Sequence, residues 1–459
     1  MTSNSSQKPD LTHWNVIVCG GGMSGVCAAT AAARNGAKTL LVERDASLGG
    51  TMTNNLVGPM MTFHSPSQQV VGGLAQEVVD RLIALGGSVG HIADTSDYCP
   101  TITPFDAEML KIVSQRMVLE AGARVLYNTF ISGVIQEDHA IKGIQVTNKG
   151  GVTNLFADVV IDCTGDADVA YLAGAPYEMG RSEDGLVQPL TMMFKLTHVN
   201  NEALRAYSAE HLPEVMLNER QIKNYLNQAL NKNYGFAEKA KKYLDEGKAI
   251  TERRDILFFN TINEDEVTVN STRVSHVNPV DPWELSEAEN TAREQVFGLY
   301  EFFRNEVPGF ENCRLGAVGF RIGVRESRRI VGEYVLTAED ILNQRHFPDA
   351  IARSAYPIDI HAVNKDEDEF NSFGYHGEVY EIPYRCLVPL KIDQLLVAGR
   401  SISTSHEAQG SVRVSPTCMA FGQAAGTAAV LAMRQECTPR QVETGELRKL
   451  LVAQGALLF

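Results

Sequence analysis

Between Trp14 and Glu43 an apolar run, WNVIVC, meets a glycine-dense turn, GGGMSG, then an alanine-rich stretch and a second apolar run, KTLLVE. Strand, turn, helix and strand within about thirty residues predict a parallel βαβ crossover. Gly20, Gly22 and Gly25 stand in it at GxGxxG spacing. In such a turn the first glycine permits the tight bend, the second lets backbone approach a pyrophosphate, and the third lets helix and strand pack closely. Met23 and Ser24 open the helix, whose exposed N–H groups and positive dipole end face that pyrophosphate. Glu43 ends the second strand, where a carboxylate accepts hydrogen bonds from a ribose. The unit predicts dinucleotide binding.

A chain of 459 residues is long enough for two or three domains. Its 44% hydrophobic and 21% charged residues are those of a globular protein. A net charge of −15 repels phosphate backbones and anionic lipid, so neither nucleic acid nor a membrane is an expected partner. The eight cysteines are scattered with no CxxC pair, which argues against a dithiol, a zinc ribbon or iron–sulfur ligation. No metal is expected, and any redox cofactor is organic. The polar N-terminus, MTSNSSQKPD, lacks the apolar core of a secretory signal, so a cytoplasmic location is expected. The small-residue stretch from Thr417 to Met433 is slightly short for a membrane span and carries Gln423. It predicts a buried helix packed on a sheet, with Gly422 and Gly426 allowing close approach.

The element pattern predicts an α/β chain in which a nucleotide-binding domain is interrupted. Residues 1–175 form its first part, 176–389 an inserted α+β substrate or lid domain, and 390–459 its second part. Residues 74–85 predict an amphipathic helix. Another opens at TPFDAE, with Thr103 as cap, Pro104 in the first turn and Asp106 completing a capping box. Strands over ARVLYNTFISGVIQ, KGIQVTN and LFADVVIDCTG predict a small β-meander. Residues 201–250 are polar and read as helical. A late strand, KIDQLLVAGR, returns to the first domain.

Which dinucleotide binds follows from further motifs. Glu43 and Arg44 lead to a second flexible turn, Gly49-Gly50-Thr51, which a nicotinamide site does not require. Thr164-Gly165 closes one strand, in VVIDCTGDAD, and Ala398-Gly399-Arg400 another. The stretches RESRRIVGEYVLT, YPIDIH, YEIPYRCLVP and HEAQGSVRVSPTCMAFGQAAG complete the pattern. Taken together, the chain resembles FAD-dependent oxidoreductases of the two-domain, glutathione-reductase-like type, related to the flavin module of heterodisulfide reductase. The resemblance implies a Rossmann-type FAD-binding domain, FAD as cofactor, and contacts to it from the residues named above. It also implies a helix near Thr417 aimed at the flavin pyrimidine, with N–H groups of Thr417, Cys418 and Met419 and the charge of Arg413 favouring reduced flavin. Two departures stand out. The chain lacks the cysteine-rich segments of cluster-binding members, and Arg400 replaces an aspartate that often holds the ribitol.

No second GxGxxG unit exists for a nicotinamide domain, so electrons are expected to pass through a diffusing donor or acceptor. Arg321, Arg325, Arg328 and Arg329 form an arginine cluster suited either to gripping an anionic substrate or to ordinary salt bridges. Arg325 and Arg328 are the candidates carried forward. His361 and His406 are candidate general acids or bases, Tyr384 a further candidate, and His64 lies in the loop after the second turn. The expected function is hydride exchange between FAD and a small organic substrate. Alternatives are an NAD(P)-dependent dehydrogenase without flavin, or a flavoprotein with a structural or modifying role. A homo-oligomer is compatible with all of these.

Overall fold

The computed structural model describes residues 11–248, 251, 253, 255–364 and 378–458, so the polar N-terminal segment 1–10 lies outside the described residues. The predicted crossover forms as β1 (His13–Cys19), α1 (Met23–Arg34) and β2 (Thr39–Val42). Five parallel strands run side by side in the order Arg124–Leu126, β2, β1, Gly151–Asp162 and Leu395–Val397. The long strand Gly151–Asp162 serves two purposes. Its last residues sit between β1 and the late strand, while its first half pairs antiparallel with Ala140–Asn148, which pairs in turn with Phe130–Glu137. The expected meander is therefore an extension of the same sheet.

The small-residue helix is Ser415–Arg434, and it packs on strands of the sheet, as expected, but most extensively on α1. A Cβ on Gly422 would stand 2.0 Å from the carbonyl oxygen of Ser24, and one on Gly426 would stand 2.2 Å from that of Ala28. Two helix backbones thus touch along a glycine stripe. Among the described residues no helix is long and apolar enough to cross a membrane.

A second, antiparallel sheet runs in the order Lys232–Gly235, Ile256–Asn260, Val267–Val269, Phe194–Thr197 and Arg314–Val318. Its core joins Phe258 to Phe302, Phe303 and Phe310. The latter aromatics lie on or just beyond Pro282–Glu306, a helix opened by Asp281, whose side chain accepts hydrogen bonds from the N–H groups of Trp283 and Glu284. Residues 201–248 are not wholly helical, because the edge strand Lys232–Gly235 falls between two helices and completes this sheet. The cap expected at Thr103 also moves. Thr103 belongs to the strand Thr101–Thr103, and Asp106 caps Ala107–Glu120 by accepting from the N–H of Met109.

The packing does not divide at residue 389. Leu336, Ile351, Tyr380 and Val388 join the core that contains α1, whereas the second core extends only to Ile322. Residues beyond about 330 return to the first body early because the pair Ala350–Ser354 and Tyr380–Pro383 packs against the helix Ser415–Arg434.

Replacing Gly422 with alanine is expected to force α1 and its partner helix apart. The cost should be about 1–3 kcal/mol, read as a lower Tm in thermal unfolding of the cofactor-loaded protein. An unchanged Tm would mean that this contact is not close-packed.

Candidate functional site

The parallel strands end together, and their carboxyl ends open on a cavity of about 680 Å³. Ligands bind in this position in open parallel sheets because successive turns expose backbone N–H groups there. Gly20 has φ +99°, and a Cβ on it would stand 2.5 Å from the Cys163 carbonyl oxygen. A Cβ on Gly25 would stand 1.8 Å from the Gly20 carbonyl oxygen. Gly22 differs, since a Cβ there meets nothing within 4 Å and points into space at the cavity wall. The second glycine turn packs on the first: Gly49 has φ +105°, Gly50 has φ +57°, and a Cβ on Gly50 would come 2.7 Å from Gly22 Cα. Met23, Ser24, Arg44 and Thr51 line the same wall.

Glu43 is buried and braces this turn by accepting hydrogen bonds from the N–H groups of Gly21 at 2.5 Å and Asp45 at 2.8 Å. Burial raises its pKa, against the lowering effect of those two bonds. Each carboxylate oxygen keeps a further lone pair for a ribose hydroxyl. Asp162 organises the next strand end. Its Oδ1 accepts from the N–H and hydroxyl of Thr164, its Oδ2 from the N–H of Ala170, and burial pushes its pKa up to about 6. The Thr164–Gly165 turn is thereby held open to the cavity.

Arg400 does not leave the site without a carboxylate. Asp166, from the neighbouring strand end, accepts from Arg400 Nη2 at 2.6 Å and from Ser327 Oγ at 2.6 Å. Burial opposes ionisation of Asp166, but Arg400, Ser327 and Arg44 together hold its pKa below the ordinary value. Arg328 donates to the Asp166 carbonyl and to Asp168 Oδ1, with its guanidinium 4.1 Å from the centre of the Tyr171 ring. It lines the cavity as a member of this ion cluster. Gly399, with φ +111°, faces the cavity beside Ser24.

A second charged group lies elsewhere on the cavity wall. Arg413 donates to Asp359 Oδ2 at 3.3 Å, to the Asp359 carbonyl at 3.1 Å and to Gln188 Oε1 at 3.3 Å. His361 Nε2 lies 3.4 Å from Asp359 Oδ2, and Tyr356 donates its hydroxyl proton to the same oxygen at 3.3 Å. Burial opposes ionisation of Asp359, yet His361, Arg413 and Arg325 hold its carboxyl below the ordinary range. Burial lowers His361 to about 4, so it is neutral at neutral pH. Arg325 is lowered to about 9 by burial and by the neighbouring charges of Arg413 and Arg253.

The late helix starts at Ser415, two residues earlier than expected, with Pro416 in its first turn. The Cys418 N–H already bonds the Val414 carbonyl, so it is not one of the open donors. Cys418 does line the cavity, its thiol pushed up to about 12 by burial. Thr417 does not, because it is buried and its hydroxyl donates to Ser354 Oγ.

Three further candidates lie away from the cavity. His406 is buried with Nδ1 2.8 Å from Glu326 Oε1, and the same oxygen pairs with Arg329. Tyr384 is buried with its hydroxyl donating to the Pro439 carbonyl. His64 meets Thr101 and the ring of His91. Arg321 pairs with Asp45 on the cavity wall. The site residues that sequence reasoning missed are Asp166, Tyr356 and Asp359. Their signal was present, since Asp166 stands in VVIDCTGDAD and the other two in YPIDIH, both part of the family resemblance.

A sequence model of the family described as FAD dependent oxidoreductase matches residues 15–451. Thiamine thiazole synthase of Methanococcus vannielii is 28% identical over 172 residues, covering 35% of this chain and 59% of that protein. Protein FixC of Escherichia coli (strain K12) is 28% identical over 143 residues, covering 29% of this chain and 33% of that protein. The chain thus matches less than two thirds of the length of either relative. Among solved structures, p-nitrophenol 4-monooxygenase PnpA from Pseudomonas putida DLL-E4 is 12% identical, with a TM-score of 0.50, covering 96% of this chain and 86% of that one. At that identity the likeness concerns the fold.

The residues present fit FAD. Gly22 leaves a backbone face bare, Glu43 stands by it, and the buried Nε atoms of Arg400 and Arg413 have no hydrogen-bond partner among the described residues. Because Gly22 has φ −63° and open space beside it, Gly22→Val should fold normally while its side chain takes the place of the pyrophosphate. The expected result is unchanged circular dichroism with loss of the oxidised-flavin absorption spectrum. Normal flavin content would show that the pyrophosphate lies elsewhere.

Proposed function

The chain belongs to the FAD dependent oxidoreductase family, and from that premise we propose that it exchanges a hydride with a small organic substrate. FAD, when bound, supplies a two-electron acceptor or donor for that chemistry. The observation that carries the reading is a shared wall. A second cavity of about 400 Å³ adjoins the cofactor cavity, and Met61, Phe259, Asn270, Tyr356, Asp359 and His361 line both. Its volume lies within the range of about 300–1,000 Å³ for small-molecule sites.

The groups on that wall suit a reaction in which one proton moves. His361, neutral at neutral pH, holds a basic ring nitrogen, and Asp359 accepts from Tyr356 and Arg413 while orienting the imidazole. Arg413 places positive charge beside the cofactor cavity, where it stabilises negative charge as that develops. His361 is therefore assigned as the proton acceptor or donor and Asp359 as its positioning residue. Tyr356 is a poor acid here because burial raises its pKa well above the ordinary value. Arg325 contributes charge rather than proton transfer, bonding the Pro189 carbonyl.

Anaerobic mixing with a panel of small carboxylates, sugars and amines should bleach the flavin for at least one class. For that substrate the rate of flavin reduction should be constant near neutrality. His361 has a depressed pKa, so its basic form is complete at neutral pH and is lost as pH falls through about 4. The rate should fall there, with circular dichroism checking that the fold persists. His361→Asn should slow reduction by about 10²- to 10⁴-fold and abolish that acid limb. An unslowed variant would return His361 to a structural role.

A further inference from the structure

The second cavity is lined by two cations that form no ion pair among the described residues. Lys232 enters it from the edge strand, with its ammonium 4.3 Å from the centre of the Tyr98 ring. Among the described residues no carboxylate stands within ion-pair distance of it, and the aromatic face is a weaker partner than an anion. Arg253 is buried on the same wall, donates to the Asn270 carbonyl at 2.7 Å, and among the described residues likewise has no carboxylate partner. The nearest acidic groups are already engaged. Asp94 accepts from the N–H and hydroxyl of Ser96 and from the N–H of Cys99, while Asp359 serves Tyr356, His361 and Arg413. Asp97 lines the cavity but pairs with Arg220.

Lys232 and Arg253 line the second cavity, and Arg325 and Arg413 line the cofactor cavity that adjoins it. Burial and Arg253 lower the pKa of Lys232, which Asp94 and Asp359 counter only in part. Cations taken out of water are costly unless paired. The same cavity is lined by the apolar side chains of Leu204, Val215, Leu217, Phe236 and Leu257, beside polar groups such as Gln221 and Asn233. A ligand there meets both cationic and apolar groups.

We propose that the second cavity binds an organic carboxylate bearing an apolar chain, the carboxylate seated between Lys232 and Arg253 and the chain against Leu204, Val215, Leu217, Phe236 and Leu257. This assigns a chemical class to the substrate and rests on the reading that the cavity beside the cofactor is the substrate site. Arg253 bonds the carbonyl of Asn270, which lines both cavities, so the anion site adjoins the cofactor cavity.

The test is binding without turnover, so that its failure and the failure of hydride exchange are told apart. FAD-loaded protein is titrated calorimetrically with octanoate, octanol, octylamine and octyl phosphate. Octanoate should bind at least about tenfold more tightly than octanol and octylamine, the difference expected of a charge-assisted pair. Lys232→Met should lose about that factor for octanoate alone, with octanol affinity and flavin content unchanged, and Lys232→Arg should restore it. Equal affinity for octanoate and octanol, which needs no variant to measure, would overturn the proposal. Tighter binding of octyl phosphate than of octanoate would also overturn it, by assigning the cations to a phosphate. Carboxylates that bind as expected but never bleach the flavin would leave the anion site standing and count against hydride exchange there.

Discussion

The position of α1 decides where everything else in the site can stand. On one side Gly25 lies so close to the Gly20 carbonyl that a Cβ would stand 1.8 Å away, and on the other Gly422 and Gly426 bring a second helix onto the carbonyls of Ser24 and Ala28. Backbone therefore meets backbone on both sides, with no side chain between to absorb an error. Protein interiors pack as densely as organic crystals, so such contacts fix distances to within a few tenths of an ångström. The first turn of α1, the second glycine turn and the strand end at Cys163 are held in one geometry as a result. The phosphate-binding N–H groups are pre-aimed before any ligand arrives.

This local rigidity is why the cofactor half of the site was legible in the sequence. Glycines are required at fixed offsets wherever a turn needs positive φ or two backbones touch, and those offsets lie within one short segment. Gly20, Gly22, Gly25, Glu43, Gly49 and Gly50 all follow from such constraints, and all line the cavity or brace it. Arg400 shows the limit of that reasoning. Its sequence position suggested a missing carboxylate, whereas Asp166 supplies one from another strand, a pairing of residues 234 positions apart. Thr103 failed as a cap for a different reason: the capping pattern was real, but sheet pairing claimed Thr103 and left Asp106 to do the work.

The catalytic half was less legible because side-chain chemistry does not reveal its surroundings. His361 and His406 carry the same ring and each lies in a suggestive motif, yet one faces the cavities and the other is buried against Glu326. Tyr384 looked equally available and is spent on the Pro439 carbonyl. The 25-residue helix Pro282–Glu306 carries a local signal in Asp281-Pro282, a cap followed by a first-turn proline, which the sequence reading did not use. By contrast Lys232 stands on an edge strand that sequence reading placed in a helix, and Arg253 lies just before the strand it pairs with. Their convergence on one cavity is a property of the second sheet and of nothing local.

The segment Arg325 to Arg329 shows how the fold separates structural charges from those turned toward ligands. Arg325 and Arg328 line the cofactor cavity, while Glu326 and Arg329 are buried behind it. Glu326 pairs with Arg329 and His406 and accepts from the Gln188 N–H. Gln188 Oε1 in turn accepts from Arg413 and from the His361 N–H. The buried pair thus anchors the wall on which the reactive groups sit. A buried ion pair contributes little net stability over an apolar replacement, but losing one partner strands the other at about 3–5 kcal/mol, so such a pair enforces one arrangement. Each cation in that rear network has its anion or its carbonyls. Lys232 and Arg253 on the far wall have no carboxylate of their own among the described residues, in the same acidic chain with 56 Asp and Glu residues against 41 Lys and Arg. Acidic side chains are plentiful in this chain, yet among the described residues none forms an ion pair with either cation, and both face a cavity that a ligand can enter.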